Sequence, residues 1–120
     1  MNSVGFVTRL FRWENGRQNT GYQKMLLCGA KWPILFDVYL LRFKEDAEIP
    51  PHIDRVKFGR HFRLNIIMKN SKRGGIFRCK QPIYENSRIK YFRSDKSEHS
   101  VSKILEGTRY VLSIGWIRRS

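Results

Sequence analysis

The chain is poor in cysteine. Cys28 and Cys79 are its only thiols in 120 residues. Two thiols cannot build the multi-bridge framework that staples small secreted domains, so a reduced, cytoplasmic setting is expected. Long apolar runs are absent too, and nothing approaches the roughly eighteen residues of a membrane span. The opening MNSVGFVTRLFRWENGR carries arginines through its apolar stretch and has no small-residue cleavage site, so it does not read as a signal peptide. The four prolines and nine glycines are scattered, which leaves no linker. There is no internal repeat, no long amphipathic helix, no Cys-x-x-Cys pair, no phosphate-binding glycine loop and no nucleophile elbow. Acidic residues are scarce: ten Asp and Glu stand against 24 Lys and Arg, for a net charge of +14. That balance attracts polyanions, nucleic acid or an acidic protein segment, in a salt-sensitive way. It equally serves solubility, and its sign does not specify chemistry.

What is present suffices for one domain, with a core at roughly 34–117. The composition is 41% hydrophobic and 13% aromatic. Residues 1–31 read as irregular, with turn signals at Asn15-Gly16 and Asn19-Thr20-Gly21 and a short uncapped helix around 23–27. From Trp32 onward the pattern is of strands: 34–43, a segment after Pro50-Pro51, 60–69, 76–80, 88–93, 99–105 and 108–117. Proline cannot donate to a ladder, so the strand at Pro50-Pro51 belongs at an edge or a turn. Seven or eight short strands with regularly spaced turns predict an all-β sandwich or barrel, and a small jelly roll is favoured.

Three histidines occur, at 52, 61 and 99. In His52-Ile53-Asp54 an imidazole and a carboxylate stand two residues apart, and in extended chain such positions point the same way. With His99 from a late strand they make two histidines and one carboxylate, the facial triad of non-haem Fe(II) oxygenases, which leaves three positions open. Arg109 follows His99 by ten residues, just past the Glu106-Gly107 turn. If the two strands lie on facing sheets about 10 Å apart, a five-carbon keto diacid held at the metal reaches the Arg109 guanidinium with its far carboxylate. His61 competes as a ligand but has no arginine at that spacing.

These residues, HID at 52–54 and EHSVSKILEGTRYVLSIGW at 98–116, resemble the Fe(II)/2-oxoglutarate-dependent dioxygenases. IPPHID and RLNIIMKNSKRGGIF share the likeness, which is nearest to the prolyl- and aspartyl-hydroxylase-like branch and covers roughly 34–117. The resemblance implies a double-stranded β-helix and a hydroxylase using Fe(II), 2-oxoglutarate and O₂. It places metal on His52, Asp54 and His99, and the distal carboxylate of 2-oxoglutarate on Arg109. Asn65 and Arg63, in phase on one strand, fall where the family often contacts cosubstrate or substrate. Tyr39 reads as a core tyrosine or as a hydrogen bond to the cosubstrate. Arg17 and Tyr22 read as an ordinary basic loop or as substrate contacts folded over the pocket. The further arginine that nucleic-acid-acting members carry six residues after the cosubstrate arginine is replaced here by Gly115. The chain is short for the family, so a large substrate or a second chain, as in a homo-oligomer, is expected to complete the site. The substrate itself is not legible.

Two other classes stay open at this level. A non-enzymatic basic β-barrel would bind nucleic acid through Lys, Arg and exposed aromatic rings. A cupin-like metal enzyme would keep the jelly roll and the triad but dispense with Arg109.

Overall fold

The computed structural model describes residues 10–16, 20–30, 35–54 and 58–118. Twelve strands run through them, and none of the described residues is helical: β1 (Trp13–Asn15), β2 (Gln23–Ala30), β3 (Leu35–Phe43), β4 (Ile49–His52), β5 (Arg60–Lys69), β6 (Arg73–Gly74), β7 (Phe77–Cys79), β8 (Tyr84–Glu85), β9 (Ile89–Arg93), β10 (His99–Val101), β11 (Ile104–Glu106) and β12 (Arg109–Arg118). A seven-stranded sheet has the order β1-β2-β3-β12-β5-β9-β8, and a three-stranded sheet has the order β4-β10-β7. The pair β11-β6 makes a third, small sheet. This is a jelly-roll β-sandwich.

The largest departure from the sequence expectation is at β2. The stretch around 23–27 is not helical and 1–31 is not wholly irregular: β2 pairs with β3 over most of its length, with a register shift between Leu26 and Cys28. Local pattern missed it because QKMLLCGA lacks clean alternation, and partners supplied by β1 and β3 override a weak helical preference. The remaining strands lie close to their expected places. The predicted 99–105 strand is broken into β10 and β11, which join different sheets. Pro50 and Pro51 sit in β4, an edge strand, where a missing donor costs no ladder bond.

Side-chain alternation on β12 explains the layering. Arg109, Val111, Ser113 and Gly115 are buried, while Tyr110, Leu112, Ile114 and Trp116 are partly exposed. The first set faces the small sheet. Antiparallel pairing with β3 and β5 aligns Val111 with Leu41 and Ile67, and Ser113 with Tyr39 and Asn65. Between the sheets Phe43, Ala47, Ile67, Val101, Ile104 and Val111 form the buried cluster. Each large side chain there contributes roughly 1.5–3 kcal/mol from burial. Tyr22 stacks on Phe43 at 5.2 Å between centroids. On the other face of the large sheet Phe62, Tyr91 and Trp116 form a ladder with centroids 5.7–6.2 Å apart.

Candidate metal centre

His52 ends β4 and His99 begins β10, and the two are direct cross-strand partners. Their rings lie 4.3 Å apart, centroid to centroid, at 55°. Asp54 follows just past β4, where its backbone N–H donates to the Ser94 carbonyl at 2.9 Å. Its Oδ1 is 3.2 Å from His52 Nε2 and its Oδ2 is 3.4 Å from His99 Nε2. The ligand atoms of all three residues lie within 4.8 Å of one another. Adjacent ligands of an ion with bonds of about 2.1 Å stand about 3 Å apart, so the spacing suits a bound metal.

The ring tautomers point the same way. His52 Nδ1 is 2.9 Å from the Pro50 carbonyl and His99 Nδ1 is 2.9 Å from the Ser97 carbonyl. A carbonyl only accepts, so in each neutral ring Nδ1 carries the proton and Nε2 turns a lone pair toward the Asp54 carboxylate. Four electron-rich atoms facing inward repel one another unless a cation sits between them. The two backbone carbonyls also orient the rings, as outer partners do in metal sites. Phe92 and Phe77 pack on the His99 ring at 4.8 and 6.4 Å between centroids and dry one side of it.

Below the triad a cavity of about 210 Å³ opens between the sheets. Its lining includes the triad together with Tyr22, Tyr39, Arg63, Asn65 and Arg109. Arg109 opens β12 and is 2% exposed. Its Nε has no hydrogen-bond partner, and no acidic side chain pairs with it among the described residues. Its guanidinium lies 5.2 Å from the centre of the Phe43 ring. Burial pulls its pKa down to about 10. Two glycines let the arginine lie there. Gly107 (φ +88°) makes the turn before β12, and Gly75 (φ +70°) leaves space that a Cβ would take from Ile104, Ser71 and the Arg109 side chain. A buried, unpaired cation is costly, and an anion in the cavity relieves it.

A polar relay crosses the large sheet beside the cavity. Arg63 donates to Ser113 Oγ at 2.9 Å and to Asp37 Oδ1 at 3.2 Å, and Ser113 Oγ donates to Asn65 Oδ1 at 2.6 Å. Asn65 is buried, and its amide nitrogen, without a partner among the described residues, is available to a ligand. Gly115 lies under the Arg63 guanidinium, where any Cβ would collide.

Of the residues singled out from sequence, His52, Asp54 and His99 converge, and Arg109, Asn65, Arg63, Tyr39 and Tyr22 line the same cavity. Arg17 lies outside the described residues. His61 is not in the cluster; its backbone N–H donates to Asp95 Oδ1 at 3.3 Å, and burial lowers its pKa. Sequence reasoning missed Ser113, Asp37 and Lys24. Ser113 was findable, being in phase with Arg109 on β12. Asp37 was a lone acid in an apolar strand. Lys24 sits on the strand that had been read as helix.

No family model matches the chain, and no curated protein does. Solved structures do. KdgF from Halomonas sp. matches with a TM-score of 0.59 at 16% identity, covering 90% of this chain and 89% of that one. A sugar phosphate isomerase of the cupin superfamily from Silicibacter pomeroyi matches with a TM-score of 0.51 at 15% identity, covering 92% and 70%. A chain of the Rhodobacter sphaeroides SigE–ChrR anti-sigma complex also has a TM-score of 0.51, at 16% identity, covering 88% of this chain and 48% of that one. At these identities the likeness is one of fold, and the fold is of cupin type. The chain therefore has a cupin-like jelly-roll fold with a His-Asp-His cluster suited to metal.

Proposed function

We propose that the chain is an Fe(II)/2-oxoglutarate-dependent dioxygenase that hydroxylates a substrate. The observation that carries the proposal is Arg109: a nearly fully buried guanidinium, unpaired, in the same cavity as the triad. A cupin that needs only metal has no use for a buried cation, whereas a chelating diacid leaves one carboxylate to satisfy it. His52, Asp54 and His99 would hold the iron through two Nε2 atoms and one carboxylate. Bound there, iron and 2-oxoglutarate supply oxidative decarboxylation of the diacid coupled to substrate hydroxylation.

The chain's own residues do the rest. The carbonyls of Pro50 and Ser97 accept from Nδ1–H of each ring, which orients both Nε2 atoms toward the ion. Arg109 takes the distal carboxylate with a fork that stays charged when buried. Asn65 offers its amide, and Tyr39 a hydroxyl, to the same ligand. Phe77, Phe92 and Phe43 exclude water. At about 210 Å³ the cavity is smaller than the roughly 300–1,000 Å³ of drug-sized pockets, which suits a small diacid and one group of a substrate.

The test is turnover of 2-oxoglutarate to succinate with Fe(II) and O₂, comparing wild type with folded His52→Ala and Asp54→Ala variants. Turnover is expected only in wild type, and unchanged turnover in either variant refutes the assignment. The cupin neighbours favour a second reading, a metal-only enzyme of the cupin type. It predicts metal binding with no response to 2-oxoglutarate.

A further inference from the structure

The cavity holds one more cation than the catalytic assembly uses. Lys24, on β2 opposite Leu41, lines the cavity with its Nζ 5.1 Å from the centre of the Tyr39 ring. Glu14 faces it across β1 but forms no ion pair with it, and neither does any other acid among the described residues.

The other charges of the site cancel. A divalent metal, the Asp54 carboxylate, a dianionic cosubstrate and Arg109 together are neutral. Arg63 is matched by Asp37 at 3.2 Å. Lys24 alone is left over, next to an aromatic ring that forms one wall. An ammonium over a ring gains too little to offset lost hydration once a ligand fills the cavity. It then requires an anion. The net charge of +14 draws anions toward the molecule.

We propose that the substrate is anionic and places a carboxylate or phosphate group against Lys24 beside Tyr39. This rests on the dioxygenase assignment, because the charge balance assumes 2-oxoglutarate on Arg109. With the cosubstrate in place, little of the cavity remains, so the anionic group enters on a side chain or a small molecule while the bulk of a larger substrate stays outside.

The experiment is calorimetric titration of protein loaded with Mn(II) and 2-oxoglutarate. Three probes are used: N-acetylaspartyl amide for a carboxylate, phenyl phosphate for a phosphate, and the neutral N-acetylasparaginyl amide. At least one anionic probe is expected to bind, and which binds tighter identifies the group. Lys24→Met is expected to weaken that probe about tenfold or more, and Lys24→Arg to keep most of the affinity, with binding falling as salt rises. Equal binding of the neutral amide, or of the anionic probe by Lys24→Met, overturns the proposal. So does a Lys24→Met variant that loses its response to 2-oxoglutarate, since Lys24 would then belong to the cosubstrate site. Wild type that responds to 2-oxoglutarate but binds no anion sinks the Lys24 proposal only. Wild type with no such response sinks the dioxygenase assignment, and the charge balance with it.

Discussion

Replacing Arg109 by Met separates the two things its guanidinium does. In the ligand-free protein the charge is a burden. Burial holds its pKa at about 10, well below the ordinary guanidinium value, and that difference converts to about 3 kcal/mol of unfavourable burial. The sign is that of a base whose folded pKa is depressed. Below pH about 10 the group is charged in both states and the penalty is complete; as pH rises above that the folded state releases its proton first and stability is regained. At neutral pH, Met of similar length removes the penalty. It also removes the guanidinium from the Phe43 face, 5.2 Å away, at a cost of roughly 0.5–2 kcal/mol. The net gain is about 1–2 kcal/mol. A chain of this length moves by about 4 °C per kcal/mol, so the variant is expected to melt about 4–8 °C higher without ligand. The response to 2-oxoglutarate goes the other way. A buried bidentate carboxylate–guanidinium pair is worth about 3 kcal/mol or more, a loss of about a hundredfold in affinity. At a concentration a hundred times Kd, wild type gains about 2.7 kcal/mol, or roughly 10 °C, while the variant gains about 0.4 kcal/mol, or under about 2 °C. Thermal melting with Mn(II), with and without 2-oxoglutarate, reads both quantities. A variant that melts lower without ligand yet keeps the full shift would show Arg109 to be structural and not part of the cosubstrate site.

Three further outcomes follow from the geometry. Asp54→Asn and His99→Gln should abolish the Mn(II)-induced rise in melting temperature, and EDTA should reverse that rise in wild type; a Mn(II) shift that survives both substitutions shows the ion to be elsewhere. Asp95 has its pKa lowered chiefly by the bidentate hydrogen bonds from Arg93, at 2.9 and 2.6 Å. Its contribution is present above the ordinary carboxylate range and lost as pH falls through its depressed value, so Asp95→Asn should melt lower than wild type at pH 7 and the deficit should shrink as pH falls below the ordinary carboxylate range. Gly115→Ala should leave the fold intact, because the colliding atoms are the flexible end of Arg63, while breaking the Arg63–Ser113 hydrogen bond; a lost or shifted Arg63 side-chain resonance by NMR checks it.

Most of the architecture was legible along the chain. The runs at 34–43, 60–69 and 108–117 declare strands by composition, because β-branched and aromatic residues favour a pleated, half-buried surface. The His-x-Asp pair was legible because extended backbone puts positions 52 and 54 on one side. The reach from a metal on His99 to Arg109 supposed facing sheets, and the two residues do fall on different sheets. Position 23–30 was the failure, since a strand without alternation is recognised only through its partners.

What sequence alone determined is therefore the inventory: which side chains bear chemistry, and that strands carry them. How they meet is set by the packing of strands far apart in the chain. Cross-strand pairing sets His52 against His99, and backbone carbonyls fix which nitrogen of each ring faces Asp54. The register of β12 buries Arg109 without a partner and brings Ser113 between Arg63 and Asn65. Placing Lys24 in the same cavity needed β2 to join the sheet. These are non-local facts. Side-chain charge and type are properties of single residues, but burial and pairing belong to residues far apart in the chain, and the packing of two sheets is what turns a list of donors into one electrostatic site.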